Sequence, residues 1–220
     1  MADSNSLLNL PVGKHISIRA LINGEYVVRS YTPTSPPETK GYFELIVKTY
    51  PNGNISKYLD GLKIGDSIEV KGPKGNFSYF PNMVENIGMI AGGTGLTPML
   101  QVIRFILSNP ADKTKISLVF ANVSFEDILL KDELDKLAAD HPKQLKVHYV
   151  LNIAPENWTQ SIGFVTEDII RKCCPSPGPK SKLLLCGPPP MIKALSEIAE
   201  KVGFDKPRTV SKPEDMVFKF

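Results

Sequence analysis

The chain has 220 residues, of which 42% are hydrophobic and 22% charged, enough for one large or two small globular domains with ordinary cores. Its 26 basic and 23 acidic side chains leave a net charge of +3, with no basic run interleaved with aromatics, which argues against a nucleic-acid binder. Three cysteines, two of them adjacent (Cys173 and Cys174), make no disulfide framework, no CxxC and no Cys/His cluster, so a protein-held metal is not expected and a reducing compartment is the default. No apolar run reaches the length of a membrane span, and residues 1–9 lack the regions of a signal peptide; the chain as written is expected to be soluble and cytoplasmic.

The first third reads as β structure. Residues 14–21 alternate, Asn23-Gly24 is a hairpin signal, and 26–31 continue the pattern. Residues 32–41 are rich in Pro and Thr and read as a loop. A further strand is predicted over 42–50, a turn at Pro51-Asn-Gly53, a short helix over 56–59 and a strand ending at Val70. Repeated short strands with few helices suggest a small antiparallel barrel. After about Glu85 the rhythm changes. Strands are predicted over 87–91, 116–121, 145–151 and 182–186, and helices over 97–107, 126–139, 165–172 and 189–202. This alternation implies a doubly wound parallel sheet. The expected organisation is β followed by α/β, with domains 1–83 and 84–220 and a boundary near 81–86.

Three segments carry chemistry. Gly92-Gly93-Thr94-Gly95 follows a strand and precedes a helix, where glycine permits close backbone approach and the helix start offers free N–H groups. It does not match GxGxxG, and taken alone it is also compatible with a plain tight connection. Cys186-Gly187-Pro188-Pro189-Pro190-Met191 lies at the carboxyl end of another predicted parallel strand; alone it reads equally as a stiff loop with a small buried cysteine. Arg29, Ser30, Tyr31 and Thr32 form the third. The alternation places Arg29 and Tyr31 on one strand face, where a guanidinium suits phosphate and a phenol ring suits a flat aromatic such as a flavin. An ordinary strand with an exposed arginine is the competing reading. Asn52-Gly53-Asn54-Ile55-Ser56 adds a second turn able to contact phosphate.

In this order, Arg29-Ser-Tyr-Thr-Pro33, Gly53-Asn-Ile-Ser56, Gly92-Gly-Thr-Gly-Leu-Thr-Pro-Met-Leu100 and Cys186-Gly-Pro-Pro-Pro-Met191 resemble the NADH-cytochrome b5 reductase family. Phe120-Ala-Asn122, Asp127-Ile-Leu-Leu130 and the terminal Val217-Phe-Lys-Phe220 extend the match from Leu10 onward. The resemblance implies a ferredoxin-reductase-like protein, with an FAD-binding antiparallel barrel followed by an α/β domain that binds NADH. By position, Arg29, Ser30 and Tyr31 would contact FAD, with Thr32 near the reactive flavin nitrogen and Ile46 and Lys48 lining the site. Gly53, Asn54, Ile55 and Ser56 would hold the diphosphate and ribityl side, and Thr97 would reach FAD from the second domain. Gly92, Gly93, Thr94, Cys186, Gly187, Pro188 and Met191 would shape the nicotinamide dinucleotide site, with Cys186 near the nicotinamide and Phe220 over the flavin face.

The implied chemistry passes a hydride from NADH to flavin and then single electrons to cytochrome b5 or a similar haem protein, with no dedicated acid, nucleophile or metal. His15, His141 and His148 read as structural or solvent-facing, and the chain is expected to be monomeric. Lysines such as Lys48 or Lys74 would suit an acidic partner. Two departures stand out. Asn152 occupies a position that is acidic in many members, which weakens the expected rejection of NADPH without removing the preference for NADH. Only nine residues precede Leu10, so the barrel is expected to lack its first strand; a longer form would carry an anchor to the endoplasmic reticulum or mitochondrial outer membrane. The alternatives are the reductase portion of a nitrate-reductase-type enzyme and a truncated, non-catalytic nucleotide-binding module.

Overall fold

The computed structural model describes residues 3–220. The chain begins with β1 (His15–Ile22) and β2 (Glu25–Tyr31), joined at Asn23-Gly24. Both turn residues have positive φ, 51° and 83°, the geometry that matches a two-residue turn to strand twist. A short helix α1 (Asn54–Asp60) follows, then β3 (Glu69–Lys74). These strands form an antiparallel sheet in the order β2-β1-β3. Ile18, Ala20 and Ile55 make its small core, with Val27, Tyr31 and Leu45 packed against them.

This sheet corrects one expectation. Residues 42–50 are extended but join no ladder, and they alternate poorly in burial: Leu45, Ile46, Val47 and Lys48 are all half-buried. The segment is held instead through Thr34 N–H, which donates to the Glu44 carbonyl at 2.9 Å, and through Leu45 in the small core. Its alternation of apolar residues is real, but a strand also needs a continuous ladder, and the contacts of Glu44 with Thr34 and Ser35 do not build one. The barrel is therefore an open sheet here.

The second unit matches the doubly wound expectation. Strands β4 (Asn86–Gly92), β5 (Lys115–Asn122), β6 (Leu145–Leu151), β7 (Ser161–Ile162), β8 (Ser181–Cys186) and β9 (Val217–Lys219) form a parallel sheet ordered β7-β6-β5-β4-β8-β9. On one face, Ile87, Met89 and Ala91 pack with α2 (Leu96–Ser108) and α3 (Lys131–Asp140). On the other, Ile90, Val119 and Val150 pack with α4 (Glu167–Cys173) and α5 (Pro189–Val202). α4 is capped by Thr166 Oγ1, which accepts from Ile169 N–H at 3.3 Å. α5 starts with proline in its first turn and ends at Gly203, φ +105°. The helix predicted from 126 begins at Lys131, because Leu130 takes a left-handed conformation, φ +52°. β7 and β9, two and three residues long, fall below what periodicity can register.

The two units share a core. Val12, Phe77 and Tyr79 from the first third belong to the same apolar cluster as α2 and β4. Gln101 of α2 accepts from Gly13 N–H at 2.7 Å. The buried Tyr79 hydroxyl donates to Asp112 Oδ2 at 2.7 Å and lies 3.0 Å from Thr114 Oγ1, just ahead of β5. Arg104 of α2 pairs with Glu133 at 2.5 Å and donates to the Thr34 carbonyl, pinning the loop that leaves β2. No helix among the described residues is long and apolar enough to cross a membrane.

Candidate functional site

Strand order locates the ligand crevice. β4 leads outward to β5, β6 and β7 on one side, while β8 and β9 lie on the other, so the topological switch falls between the carboxyl ends of β4 and β8. Open parallel sheets bind ligands at that point. The strands end there at Gly92 and Cys186, and register pairs Ala91 with Cys186.

The glycines at the switch do two different jobs. A Cβ on Gly92 would lie 2.5 Å from Met191 Sδ and 3.0 Å from Pro188 Cδ. One on Gly95 would lie 2.6 Å from the Cys186 carbonyl carbon and closer still to its oxygen. One on Gly187 would meet Met191 Sδ at 3.1 Å and Gly92 N at 3.3 Å. These glycines let the two loops close on each other. Gly93 is different: its φ is +53° and nothing stands within 4 Å of a Cβ there. It is the member of the loop with open space before it. Thr94 lies in the single 3-10 turn Gly93–Gly95, and its carbonyl accepts from Thr97 Oγ1 at 3.2 Å.

Across from this loop lies a pocket of about 300 Å³. It brings together Arg29, Ser30, Tyr31, Ile46, Lys48, Gly53, Asn54, Ile55 and Ser56 from the first unit with Thr94 and Thr97 from the second. Val27, Arg29 and Tyr31 lie opposite Ala20, Ile18 and Ile16, so they share one sheet face. The Arg29 guanidinium bonds only to the neighbouring Val28 carbonyl, at 2.8 Å, and meets no carboxylate among the described residues. Tyr31 is half-buried, and burial raises its phenol above the ordinary value of 10.0. Thr32 follows at the strand end, half-buried, and is not part of the pocket wall.

Three participants carry no site role in the sequence reading, although two of them, Asn122 and Asp127, stand in the motifs that extend the resemblance. Tyr50 lines the pocket; it follows Ile46 and Lys48 at spacing two in an extended segment, a signal that was available. Asp127 takes the Lys48 ammonium at 2.8 Å and also accepts from Ser124 N–H and Oγ, both at 3.2 Å. The Lys48 hydrogen bond holds the Asp127 carboxyl below its ordinary 3.8, so this tie between the units persists at neutral pH and opens only as Asp127 protonates in acid. Asn122, at the carboxyl end of β5, is 7% exposed, and neither side-chain polar atom has a partner. A buried amide without partners marks a place suited to a polar ligand or water.

Phe220 sits beside β8, its N–H donating to the Leu185 carbonyl at 3.0 Å. Its ring lies 5.2 Å from Phe218 and 5.4 Å from Phe77. Phe220 and Gly187 border a larger cleft of about 950 Å³ between the His15 end of β1 and α5. Burial pushes the Cys186 thiol up to about 12, so it stands uncharged at neutral pH.

A sheet switch point with loop-to-loop glycines faces a polar and aromatic pocket on an antiparallel sheet, an arrangement suited to two ligands meeting between the units, and similarity to known proteins assigns the class: a two-cofactor oxidoreductase of ferredoxin-reductase-like fold. Residues 1–79 match the oxidoreductase FAD-binding domain and residues 89–197 the oxidoreductase NAD-binding domain. NADH-cytochrome b5 reductase 1 of Mortierella alpina is 59% identical over 216 residues, covering 98% of this chain and 72% of that protein. Its counterpart in Dictyostelium discoideum is 55% identical over 206 residues, 94% of this chain and 72% of that protein. The cytochrome b5 reductase domain of Ulva prolifera nitrate reductase superposes with a TM-score of 0.90 at 42% identity, covering 100% of this chain and 88% of that one. The chain belongs to the NADH-cytochrome b5 reductase family.

Proposed function

We propose that this chain passes electrons from NADH through FAD to cytochrome b5 or a similar one-electron haem acceptor, with FAD held by residues 1–83 and NADH by 84–220. The observation that carries the reading is the pocket uniting Arg29–Ser56 residues with Thr94 and Thr97 opposite the switch-point loops. Both cofactors fit what stands there. Arg29 offers an unpaired guanidinium to a diphosphate, Gly93 leaves open space at a helix start, and Asn122 holds a buried amide in want of a partner. A bound flavin supplies the conversion from a two-electron donor to a one-electron acceptor.

The chain's own residues bind and orient. Arg29, Ser30, Asn54 and Ser56 would hold the flavin nucleotide, Tyr31 would offer its ring to the flavin's flat system, and Thr32, at the strand end beside the pocket, would serve its reactive edge. Ile46 and Lys48 wall the pocket, with Lys48 fixed by Asp127. Gly92, Cys186, Gly187, Pro188 and Met191, packed closely on one another, would form the floor of the nicotinamide site. Phe220, which borders the larger cleft, would cover the flavin face on the nicotinamide side. Cys173, Cys174 and Cys186 are free thiols, which suits a reducing compartment such as the cytoplasm. NADH-driven reduction of ferric cytochrome b5 by the FAD-loaded chain tests the reading. A rate that falls with added salt is expected for an acidic partner meeting lysines such as Lys74, and no reduction by a protein that retains FAD would contradict the acceptor assignment.

Two variants probe the cofactor sites. A Cβ on Gly53 would overlap Ser56 Oγ and stand 3.2 Å from both Tyr50 Cβ and its carbonyl oxygen. Gly53→Ala is expected to open that turn and lower FAD affinity about tenfold, or ~1.4 kcal/mol, in a flavin-fluorescence titration. Asn152 closes β6 toward β7, its amide donating to the Gly163 carbonyl at 3.2 Å. Asn152→Asp is expected to reduce kcat/KM for NADPH about tenfold through repulsion of the 2′-phosphate, with NADH little changed. Equal losses with both dinucleotides would place Asn152 outside the ribose site.

A further inference from the structure

At the opposite end of the parallel sheet from the dinucleotide crevice lies a recess of about 410 Å³. Lys115, Lys143, Lys146 and Lys172 line it with His148 and Ser117, and no aspartate or glutamate does. The recess has a structural origin. Ser117 pairs with Lys146 and Val119 with His148 across β5 and β6, on the face that α4 and α5 cover elsewhere. A sheet buried on both faces ordinarily carries apolar residues at such positions. Here the helical cover stops at the last turn of α4, and the bare corner is basic.

The charge is uncompensated. Among the described residues none of the four ammonium groups has an ion-pair or hydrogen-bond partner; unpartnered lysines are common in this chain, and what sets these apart is that four of them share one recess with no carboxylate in its wall. Four clustered cations exceed the excess of the entire chain, +3. The carbonyl end of α4 accounts for Lys172 alone. Burial, and then the Lys172 charge, hold His148 below its ordinary 6.5, so the ring is neutral at pH 7 and bonds Ser161 Oγ at 2.8 Å.

We propose that this recess binds a compact polyphosphate anion, one carrying at least two phosphate groups, independently of the nicotinamide dinucleotide. Lysines serve as point charges for phosphate, the Ser117 hydroxyl supplies a neutral donor, and the volume suits a small polar ligand. Separate occupancy follows from distance: a seven-residue strand such as β6 holds the two ends of the sheet roughly 20 Å apart.

The test is calorimetric titration of the full chain, saturated with FAD and NAD+, with inorganic tripolyphosphate at low salt. One site is expected, undisturbed by NAD+, with affinity about tenfold weaker in Lys143→Ala/Lys146→Ala as two solvent-exposed ionic contacts are lost. Unchanged NADH turnover by flavin reduction shows that the double variant is folded. Absence of binding at millimolar tripolyphosphate, equal binding by the variant, or displacement by NAD+ would overturn the proposal. Co-sedimentation with phosphatidylcholine vesicles containing phosphatidylinositol bisphosphate, lost in the variant, would assign the anion to a lipid headgroup. Tripolyphosphate binding without co-sedimentation would assign it to a free solute.

Discussion

Gly95→Ala is expected to cripple both folding and NADH oxidation, while its neighbour Gly93→Ala is expected to fold and to fail only in binding NADH. Helix propensity alone points the other way at Gly95, where φ is −63° and alanine is conformationally welcome. The obstacle is contact: the new Cβ would drive into the Cys186 carbonyl and stand 3.0 Å from Gly187 N, and neither is a side chain that can swing aside. The β4 and β8 loops must separate, at about 3 kcal/mol or more on the scale of overpacked cores. A misplacement of 1 Å between reacting partners costs about a hundredfold in rate. At Gly93 the penalty for alanine in the left-handed region is about 1 kcal/mol, and the added methyl projects into the space proposed for the dinucleotide. Thermal melting with flavin reduction by NADH separates the two. A Gly95→Ala protein with wild-type melting and turnover would show that the loops do not need their present contact.

Asp112→Ala should lower the melting temperature by about 10 °C, from a loss of roughly 3–4 kcal/mol in a chain of this size. Asp112 is 1% exposed and makes no ion pair among the described residues. Its carboxylate is held by the Tyr79 hydroxyl at 2.7 Å and by the N–H groups of Asn82 and Thr114 at 3.3 and 3.0 Å. Removing it takes the acceptor from the Asn82 and Thr114 N–H groups and leaves the Tyr79 hydroxyl only Thr114 Oγ1, at 3.0 Å, at the seam between the units. Burial already pushes the Tyr79 phenol well above its ordinary value, so Tyr79 cannot answer by ionising. Asp112→Asn should lose much less, because an amide oxygen still accepts. Tyr79→Phe and Asp112→Ala together should lose less than their sum, since they break the same bond. Strict additivity in denaturant unfolding would mean that the pair does not act as a unit.

Much of this was legible in the chain. Asn23-Gly24 announced its turn because both residues tolerate positive φ, and the strands from Asn86 onward announced themselves because a parallel sheet covered on both faces needs continuous apolar runs. Residues 42–50 misled because alternation reports a sheet-like face but not a continuous hydrogen-bonded ladder. The start of α3 was misplaced because a left-handed Leu130 carries no sequence mark. The sequence leaves the glycines open between approach to a ligand and a plain tight connection; in the structure Gly92, Gly95 and Gly187 serve approach of one loop to the other, and of these four only Gly93 faces open space. That distinction depends on what stands 3 Å away, which no single sequence records. The Lys48–Asp127 tie was hidden for the same reason: its partners are 79 residues apart. The recess at the foot of the sheet was invisible too, because Lys115, Lys143, Lys146 and Lys172 are scattered until β5, β6 and α4 gather them.

The central claim is that the open sheet and the switch-point loops together hold FAD where NADH can reduce it. An anaerobic titration of the FAD-loaded chain with NADH, following visible flavin absorbance, tests it most directly. Stoichiometric bleaching, restored by oxidised cytochrome b5, is the predicted result. A chain that folds but retains no FAD, or holds FAD that NADH leaves oxidised, would contradict it.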